Sequence, residues 1–347
     1  MTTVEPRRFR APGRVNLIGE HTDYNEGFVL PLAIDLECVV TATPRDDDRI
    51  EIDWLDGDRG SDRYVAAVAE ALAERGRAPV GIDAQLSSTV PIGSGLSSSA
   101  ALEVALALAL CDAAGLALTD TELARACQEA ELRATGVPCG VMDQLVSIAG
   151  RRDCAILIDC RTLETTPVAL PAALAIIVVH SGMPRTLAGS AYAERRAACE
   201  AAARRLGLSA LRDATLNQVA DDPRARHVVS ENERVLRAVE ALRANDFATL
   251  GGLLLESHRS LRDDFEVSTP ELDELVDCLM QNGALGARLT GAGFGGCVVA
   301  VADATAAPEL TERACEAYAR TTGLTPMPHL CGAGDGAGPI DAPSAGA

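Results

Sequence analysis

Apolar positions along this chain fall into two patterns. Short apolar runs bounded by turn residues predict strands at 14–18, 38–43, 50–54, 82–90, 155–159 and 174–180. Longer runs predict helices at 62–75, 100–113, 119–134, 190–206, 228–243, 247–261 and 308–321. The helix over 100–113 is apolar all round, which predicts burial on every side. The next opens on Thr119-Asp-Thr-Glu122, a capping box, and stops before Gly136 and Pro138. Thr269 and Pro270 open another, with proline at its first position. Residues 163–172 are rich in Thr and Pro and read as a crossover between two domains, and 341–347 read as a disordered tail.

One stretch stands out between a strand and the buried helix: Pro91-Ile-Gly-Ser-Gly-Leu-Ser-Ser-Ser-Ala-Ala101. Glycine lets a backbone bend tightly and approach a ligand, and serine favours a helix start. The free N–H groups of that helix start, with its dipole, make an anion site. The loop therefore reads as a phosphate cradle, against the plainer alternative of an ordinary capped helix.

Composition sharpens this reading. The sequence contains no lysine, so all 31 basic residues are Arg. A Walker A loop and the protein-kinase phosphate grip both require lysine, and so does Schiff-base chemistry. A phosphate site here must use backbone N–H groups, serine hydroxyls, Arg and a metal ion. The net charge of −19 argues against nucleic acid or an anionic membrane as partner. With 48% hydrophobic but only 3% aromatic residues, the cores must be built of Ala, Leu and Val. The 11 cysteines are scattered, without Cys-x-x-Cys spacing, and most sit in apolar runs, which predicts buried reduced thiols. The polar first ten residues predict no signal peptide, and the most apolar segment, 104–110, is too short to span a bilayer. A cytoplasmic location is expected.

Three further clusters carry chemistry. Glu20, His21, Thr22, Asp23, Tyr24 and Asn25 crowd one loop, and such groups suit a neutral polyhydroxyl ligand, although a surface turn also fits. Glu129 and Glu131 lie in the last turns of a helix, where carboxylates are unfavourable unless a cation is near. Asp143 opens a helix after Gly136-Val-Pro-Cys-Gly140-Val-Met, where capping alone would explain it.

Gly13-Arg-Val-Asn-Leu-Ile-Gly-Glu-His-Thr-Asp-Tyr-Asn25 resembles the galactokinase signature of the GHMP kinase superfamily, and 91–101 resembles the phosphate loop of that superfamily. Gly-Val-Met-Asp143-Gln matches its Gly-x-Met-Asp-Gln motif, and Leu-Thr-Gly-Ala-Gly-Phe-Gly-Gly after Arg288 resembles its third motif, with Ala292 where Gly is usual. The resemblance implies a two-domain α+β fold, with the active site in the cleft: 1–165 plus a return segment at 326–340, and 166–325. It implies transfer of the ATP γ-phosphoryl group to the anomeric hydroxyl of galactose, the first step of galactose catabolism. Asp143 would orient or deprotonate the sugar hydroxyl, and Arg14, paired with it, would neutralise charge near the transferred group. Glu20, His21, Asp23, Gly140 and Tyr192 would read the sugar with Asp143. Gly93, Ser94, Gly95, Leu96, Ser97, Ser98, Ser99 and Ala100 would hold ATP. Ser99, or Ser98, and Glu131 would hold Mg²⁺. The sequence departs from the family at Ser61, where a Trp near adenine is usual, and at Pro184-Arg-Thr-Leu-Ala-Gly. Two alternatives stand beside this reading: a kinase for N-acetylgalactosamine or arabinose, and a non-catalytic sugar sensor. The intact serine loop, Asp143 and Arg14 count against the sensor.

Overall fold

The computed structural model describes residues 5–55, 62–183 and 188–340. Ser61, the run 184–187 and the tail 341–347 lie outside the described residues. The chain opens with β1 (Arg7–Asn16), β2 (Phe28–Val29), β3 (Pro31–Pro44), β4 (Ile50–Trp54), α1 (Asp62–Ala73) and β5 (Ile82–Ser88). Then follow α2 (Ser98–Ala114), α3 (Asp120–Thr135), α4 (Met142–Ala149), β6 (Cys154–Asp159), β7 (Thr165–Ala169) and β8 (Leu174–His180). The remainder is α5 (Ala188–Leu206), α6 (Pro223–Arg243), α7 (Phe247–Asp263), α8 (Pro270–Gln281), β9 (Gly286–Thr290), β10 (Cys297–Asp303), α9 (Ala307–Thr322), β11 (Met327–Cys331) and β12 (Gly338–Ile340).

The first sheet has the order β12-β1-β3-β5-β4, antiparallel except for the β4–β5 pair. Helix α2 packs on β1 and β3. From Ala100 to Cys111 every residue of α2 except the half-buried Leu108 is buried, as an apolar helix requires. Strand β1 begins well before the expected 14–18 because Phe9 and Ala11 point inward between exposed or half-exposed arginines. In the second sheet, β11-β8-β10-β9, strands β8, β9 and β10 are buried on both faces. Ile176, Val178, Val299 and Val301 join the core beneath the first sheet, while Ile177, Val179, Val298 and Ala300 join a second core against α8 and α9. That split follows directly from the two-residue strand period.

Residues 163–172 correct the expected crossover: β7 pairs with β6 along Cys154–Ala169 to Ile158–Thr165. The strand sits at the edge of the β2-β6-β7 sheet, where Pro167 is tolerated and the threonines suit a pleated, half-exposed surface. At the other end of the chain β11 pairs with β8, and β12 then crosses back to β1. Backbone bonds from Gly334 N–H to Ala33 O (2.9 Å), Gly336 N–H to Gly150 O (2.7 Å) and Ala337 N–H to Ser147 O (2.8 Å) secure that return. All 11 cysteines are free thiols. Among the described residues no helix is long and apolar enough to cross a membrane.

Candidate active site

The site is built where β1 meets the serine loop. The β1–β3 register shifts between Pro12 and Arg14. There the Arg14 N–H donates to Leu96 O at 3.0 Å. A Cβ on Gly13 would stand 2.7 Å from that same carbonyl oxygen, so only glycine allows the approach. Arg14 is buried, and its fork donates from Nε and Nη2 to the two Asp143 oxygens, at 2.8 and 2.7 Å. Its third nitrogen, Nη1, donates to Gly95 O at 2.7 Å. One guanidinium thus joins the candidate base to the candidate phosphate loop.

Between β5 and α2 the loop turns through positive φ at Gly93 (71°), Gly95 (84°) and Ser97 (58°). Ser97 is the N-cap of α2 yet its side chain caps nothing. Instead its Oγ donates to Asp143 Oδ2. A left-handed serine is strained, and here the strain accompanies a contact to the site. Ser94 and Leu96 are buried; Ser94 Oγ donates to Pro91 O at 2.7 Å, so these two shape the loop from within. Ser98, Ser99 and Ala100 form the first turn of α2, whose N–H groups have no helical acceptor and face outward from the helix start.

Asp143 stands in the first turn of α4. Just before it, Gly140 lies so close to Asp23 that a Cβ would fall 1.7 Å from Asp23 Oδ2. The residue after it, Gln144, donates from Nε2 to Glu103 Oε2 at 3.1 Å. Glu103 is fully buried, and burial, then the Glu131 charge, push its carboxyl well above the usual range. Its signal in the sequence was a carboxylate one turn into an otherwise apolar helix.

A cavity of about 340 Å³ collects Arg14, Glu20, His21, Asp23, Glu131, Cys139, Gly140, Asp143 and Tyr192, together with Gly291 and Ala292 of the glycine loop between β9 and β10. Every residue expected to touch sugar lines it. Burial pushes Asp23 up to about 7, and the Asp143 carboxylate adds to the shift. His21 adopts a left-handed backbone (φ 62°) and is held neutral, at about 3, mainly by burial. Its Nδ1 meets Tyr24 Oη at 2.9 Å, and its ring lies 5.6 Å from Tyr192 and 4.6 Å from Phe265. Its Nε2 is buried without a protein hydrogen bond, although it lies close enough to the Ala292 backbone to be influenced by it. Glu20 Oε1 accepts from Gly291 N–H (2.6 Å) and Thr290 Oγ1 (3.0 Å), and lies 3.4 Å from Arg288 Nη2. That oxygen of Glu20 therefore joins the sugar loop to the glycine loop. These partners, some 270 positions away in sequence, were invisible to local pattern.

The two carboxylates in the last turns of α3, Glu129 and Glu131, separate cleanly. Glu129 is paired with Arg75 at 2.7 Å, an ordinary partly exposed ion pair. Glu131 faces the cavity, and no cation pairs with it among the described residues; Tyr64 Oη lies 3.4 Å from it, and the Glu103 carboxyl is near enough to feel its charge. Ser99 and Glu131 both offer hard oxygen donors. Among the described residues no cluster of three or more His, Cys, Asp or Glu forms a closed metal cage. This donor set fits Mg²⁺, which takes one or two carboxylates and completes its shell with phosphates and water.

The chain is similar to known proteins in both sequence and fold. Residues 2–44 match the galactokinase galactose-binding signature, 63–151 the GHMP kinases N terminal domain and 238–320 the GHMP kinases C terminal domain. A galactokinase of Roseiflexus sp. (strain RS-1) is 46% identical, over 95% of this chain and 92% of its own length. The crystal structure of Lactococcus lactis galactokinase complexed with galactose superposes with TM-score 0.90 at 32% identity, covering 97% of this chain and 95% of that one. Methanococcus jannaschii mevalonate kinase shares the fold, with TM-score 0.68 at 19% identity over 94% of this chain and 98% of its own. The chain belongs to the GHMP kinase family, in its galactokinase branch.

Proposed function

We propose that this chain transfers the γ-phosphoryl group of ATP to the anomeric hydroxyl of galactose, giving galactose 1-phosphate and ADP. The observation that carries the reading is the position of Asp143. It is gripped by Arg14 and Ser97 on the side of the serine loop, and it lines the cavity that holds Asp23 and Gly140. Phosphoryl transfer requires positioning and charge neutralisation more than covalent chemistry. The division of labour follows from that.

Asp143 orients the anomeric hydroxyl and accepts its proton as the phosphorus–oxygen bond forms. Arg14 fixes the plane of that carboxylate and places positive charge beside the transferred group. Gly93, Gly95, Ser97 and the α2 first turn, Ser98 to Ala100, cradle the phosphates, with Ser94 and Leu96 supporting the loop from inside. Ser99 and Glu131 would hold Mg²⁺, which would neutralise charge on the phosphates. Asp23 accepts from sugar hydroxyls, and His21, Tyr192, Glu20 and Gly140 shape the rest of the sugar pocket.

The expected division, 1–165 and 166–325 with 326–340 returning to the first part, is proposed here with its boundaries moved to keep β7 with β6 and β11 with β8: the first part ends after Ala169, and the chain returns to it after Cys331, through β12. The cytoplasm is the proposed location. The net charge of −19 supports small-molecule substrates over nucleic acid or anionic membrane as partners. Phosphorus NMR of a reaction with ATP and galactose tests the reading. A new sugar 1-phosphate resonance, rising as ADP forms, is expected. Phosphate appearing on another hydroxyl, or only free phosphate, would overturn it.

A further inference from the structure

Helix α6 runs behind the loop that carries Asp23 and His21, and three of its side chains reach the loop backbone. Glu231 Oε1 accepts from Gly19 N–H at 3.0 Å. His227 Nε2 meets Glu20 O at 3.1 Å. Asn232 Oδ1 accepts from Phe28 N–H at 2.8 Å. The three main-chain groups lie at the two ends of the loop. His227 and Glu231 are four residues apart, one helical turn, and so share a face. Neither they nor Asn232 lines the cavity.

The approach is close enough to dictate sequence in the loop. A Cβ on Gly19 would stand 2.8 Å from Val235 Cγ2, and one on Gly27 would stand 2.3 Å from Asn232 Oδ1. The helix side chains are themselves held. Glu231 also accepts from Ser257 Oγ (2.6 Å) and Arg234 Nε (2.7 Å), and His227 Nδ1 meets Ser260 Oγ at 2.9 Å. Since Glu20 O can only accept, the neutral His227 ring carries its hydrogen on Nε2, and its Nδ1 shares the Ser260 hydroxyl with Asp264 Oδ2, 3.1 Å from Ser260 Oγ. Burial, which holds His227 down at about 4, keeps it in that neutral form. His227 and Glu231 are fully buried, and Asn232 nearly so.

We propose that His227, Glu231 and Asn232 are positioning residues for sugar recognition: by fixing the backbone at Gly19, Glu20 and Phe28 they hold Asp23 and His21 at the spacing the sugar hydroxyls require. The proposal rests on the galactose reading of the cavity. It assigns the precision of the sugar loop to a helix more than 200 positions away, through backbone groups that no strand of the first sheet satisfies.

The test is steady-state kinetics on the full chain. His227→Leu removes the donor to Glu20 O, His227→Gln keeps an N–H within similar reach, and Asn232→Ala removes the acceptor at the other end. Leaving a buried backbone group unpaired predicts a galactose KM about tenfold higher in His227→Leu, with the ATP KM within about twofold of wild type. His227→Gln restores most of the difference, and Asn232→Ala raises the galactose KM about threefold or more. Equal rises in both KM values, or an unmoved galactose KM in the folded variants, would overturn the proposal. If His227→Leu does not fold, Asn232→Ala alone decides between these outcomes. Wild-type turnover is measured first. Its absence with galactose overturns the substrate reading and this proposal together, whereas wild-type turnover with unmoved variants overturns this proposal alone.

Discussion

Arg14 and Asp143 meet in a two-pronged pair, Nε to Oδ1 at 2.8 Å and Nη2 to Oδ2 at 2.7 Å, with the arginine buried and bonded onward to Gly95 O. The planar fork fixes the carboxylate in one orientation, which a point charge cannot do. Arg14→Lys keeps the charge and loses the fork. A fall in kcat with little change in galactose or ATP affinity is expected, read from kinetics and calorimetry side by side. Wild-type kcat in Arg14→Lys would show that the orientation of Asp143 is set elsewhere.

Asp143 itself is tested by Asp143→Asn, which keeps size and one acceptor but takes no proton. A fall of roughly 10²–10⁴-fold in kcat is expected for loss of a general base. If Asp143 mainly orients, Asp143→Asn retains much of the rate and Asp143→Ala does not. Wild-type turnover by a correctly folded Asp143→Asn would remove Asp143 from the mechanism.

Asp23 links pH to both activity and stability. Its carboxyl is raised from 3.8 to about 7, first by burial and next by Asp143. An ionised Asp23 accepts at both oxygens. The kcat/KM for galactose should therefore fall as pH drops below about 7, since that ratio reports the free enzyme. The stability effect has the opposite sense. The folded chain holds a proton that the unfolded chain releases at lower pH, so this group's contribution to stability falls as pH rises from 3.8 through about 7. Asp23→Asn should raise the Tm relative to wild type at pH 8 and leave it little changed at pH 4. A flat pH profile for galactose kcat/KM, with no stabilisation at pH 8, would contradict this account of Asp23.

Gly140 is held to glycine by space alone. Ala at this position would set its Cβ 1.7 Å from Asp23 Oδ2, and that carboxylate must move. Gly140→Ala should raise the galactose KM at least about tenfold, in line with loss of hydrogen bonds to a polar substrate, while leaving the ATP KM near wild type. A galactose KM unchanged by Gly140→Ala would mean that Asp23 has room to retreat without cost.

Glu131→Gln tests the metal assignment. The amide keeps the shape and removes the charged donor, so the Mg²⁺ concentration for half-maximal rate should rise about tenfold, by analogy with other losses at a metal site. An unchanged Mg²⁺ dependence would return Glu131 to the status of Glu129, a helix-face carboxylate.

Much of this site was legible because its chemistry is contiguous. The serine loop, the loop from Glu20 to Asn25 and the Asp143 turn each announce themselves within a dozen residues. Local pattern was silent on what holds them. Glu20 finds Arg288 and Thr290, Gly19 finds Glu231, and Glu131 finds Glu103, through tertiary contacts that leave no periodic trace. Serine favours a helix start, but at Ser97, the N-cap of α2, tertiary structure overrides that preference: the hydroxyl goes to Asp143. Strand β7 was hidden for a related reason. Thr and Pro look like a linker unless the strand is known to lie at an edge.

The central claim is that this cavity reads galactose and that Asp143 presents its anomeric hydroxyl to ATP. ADP release measured with galactose, glucose, N-acetylgalactosamine and arabinose, at matched concentrations with ATP and Mg²⁺, tests it most directly. Each buried polar group left unpaired by an epimer should cost roughly 1–3 kcal/mol, so galactose should exceed glucose by at least about tenfold in kcat/KM. No ADP release above background with galactose, or turnover of glucose equal to that of galactose, would contradict the account.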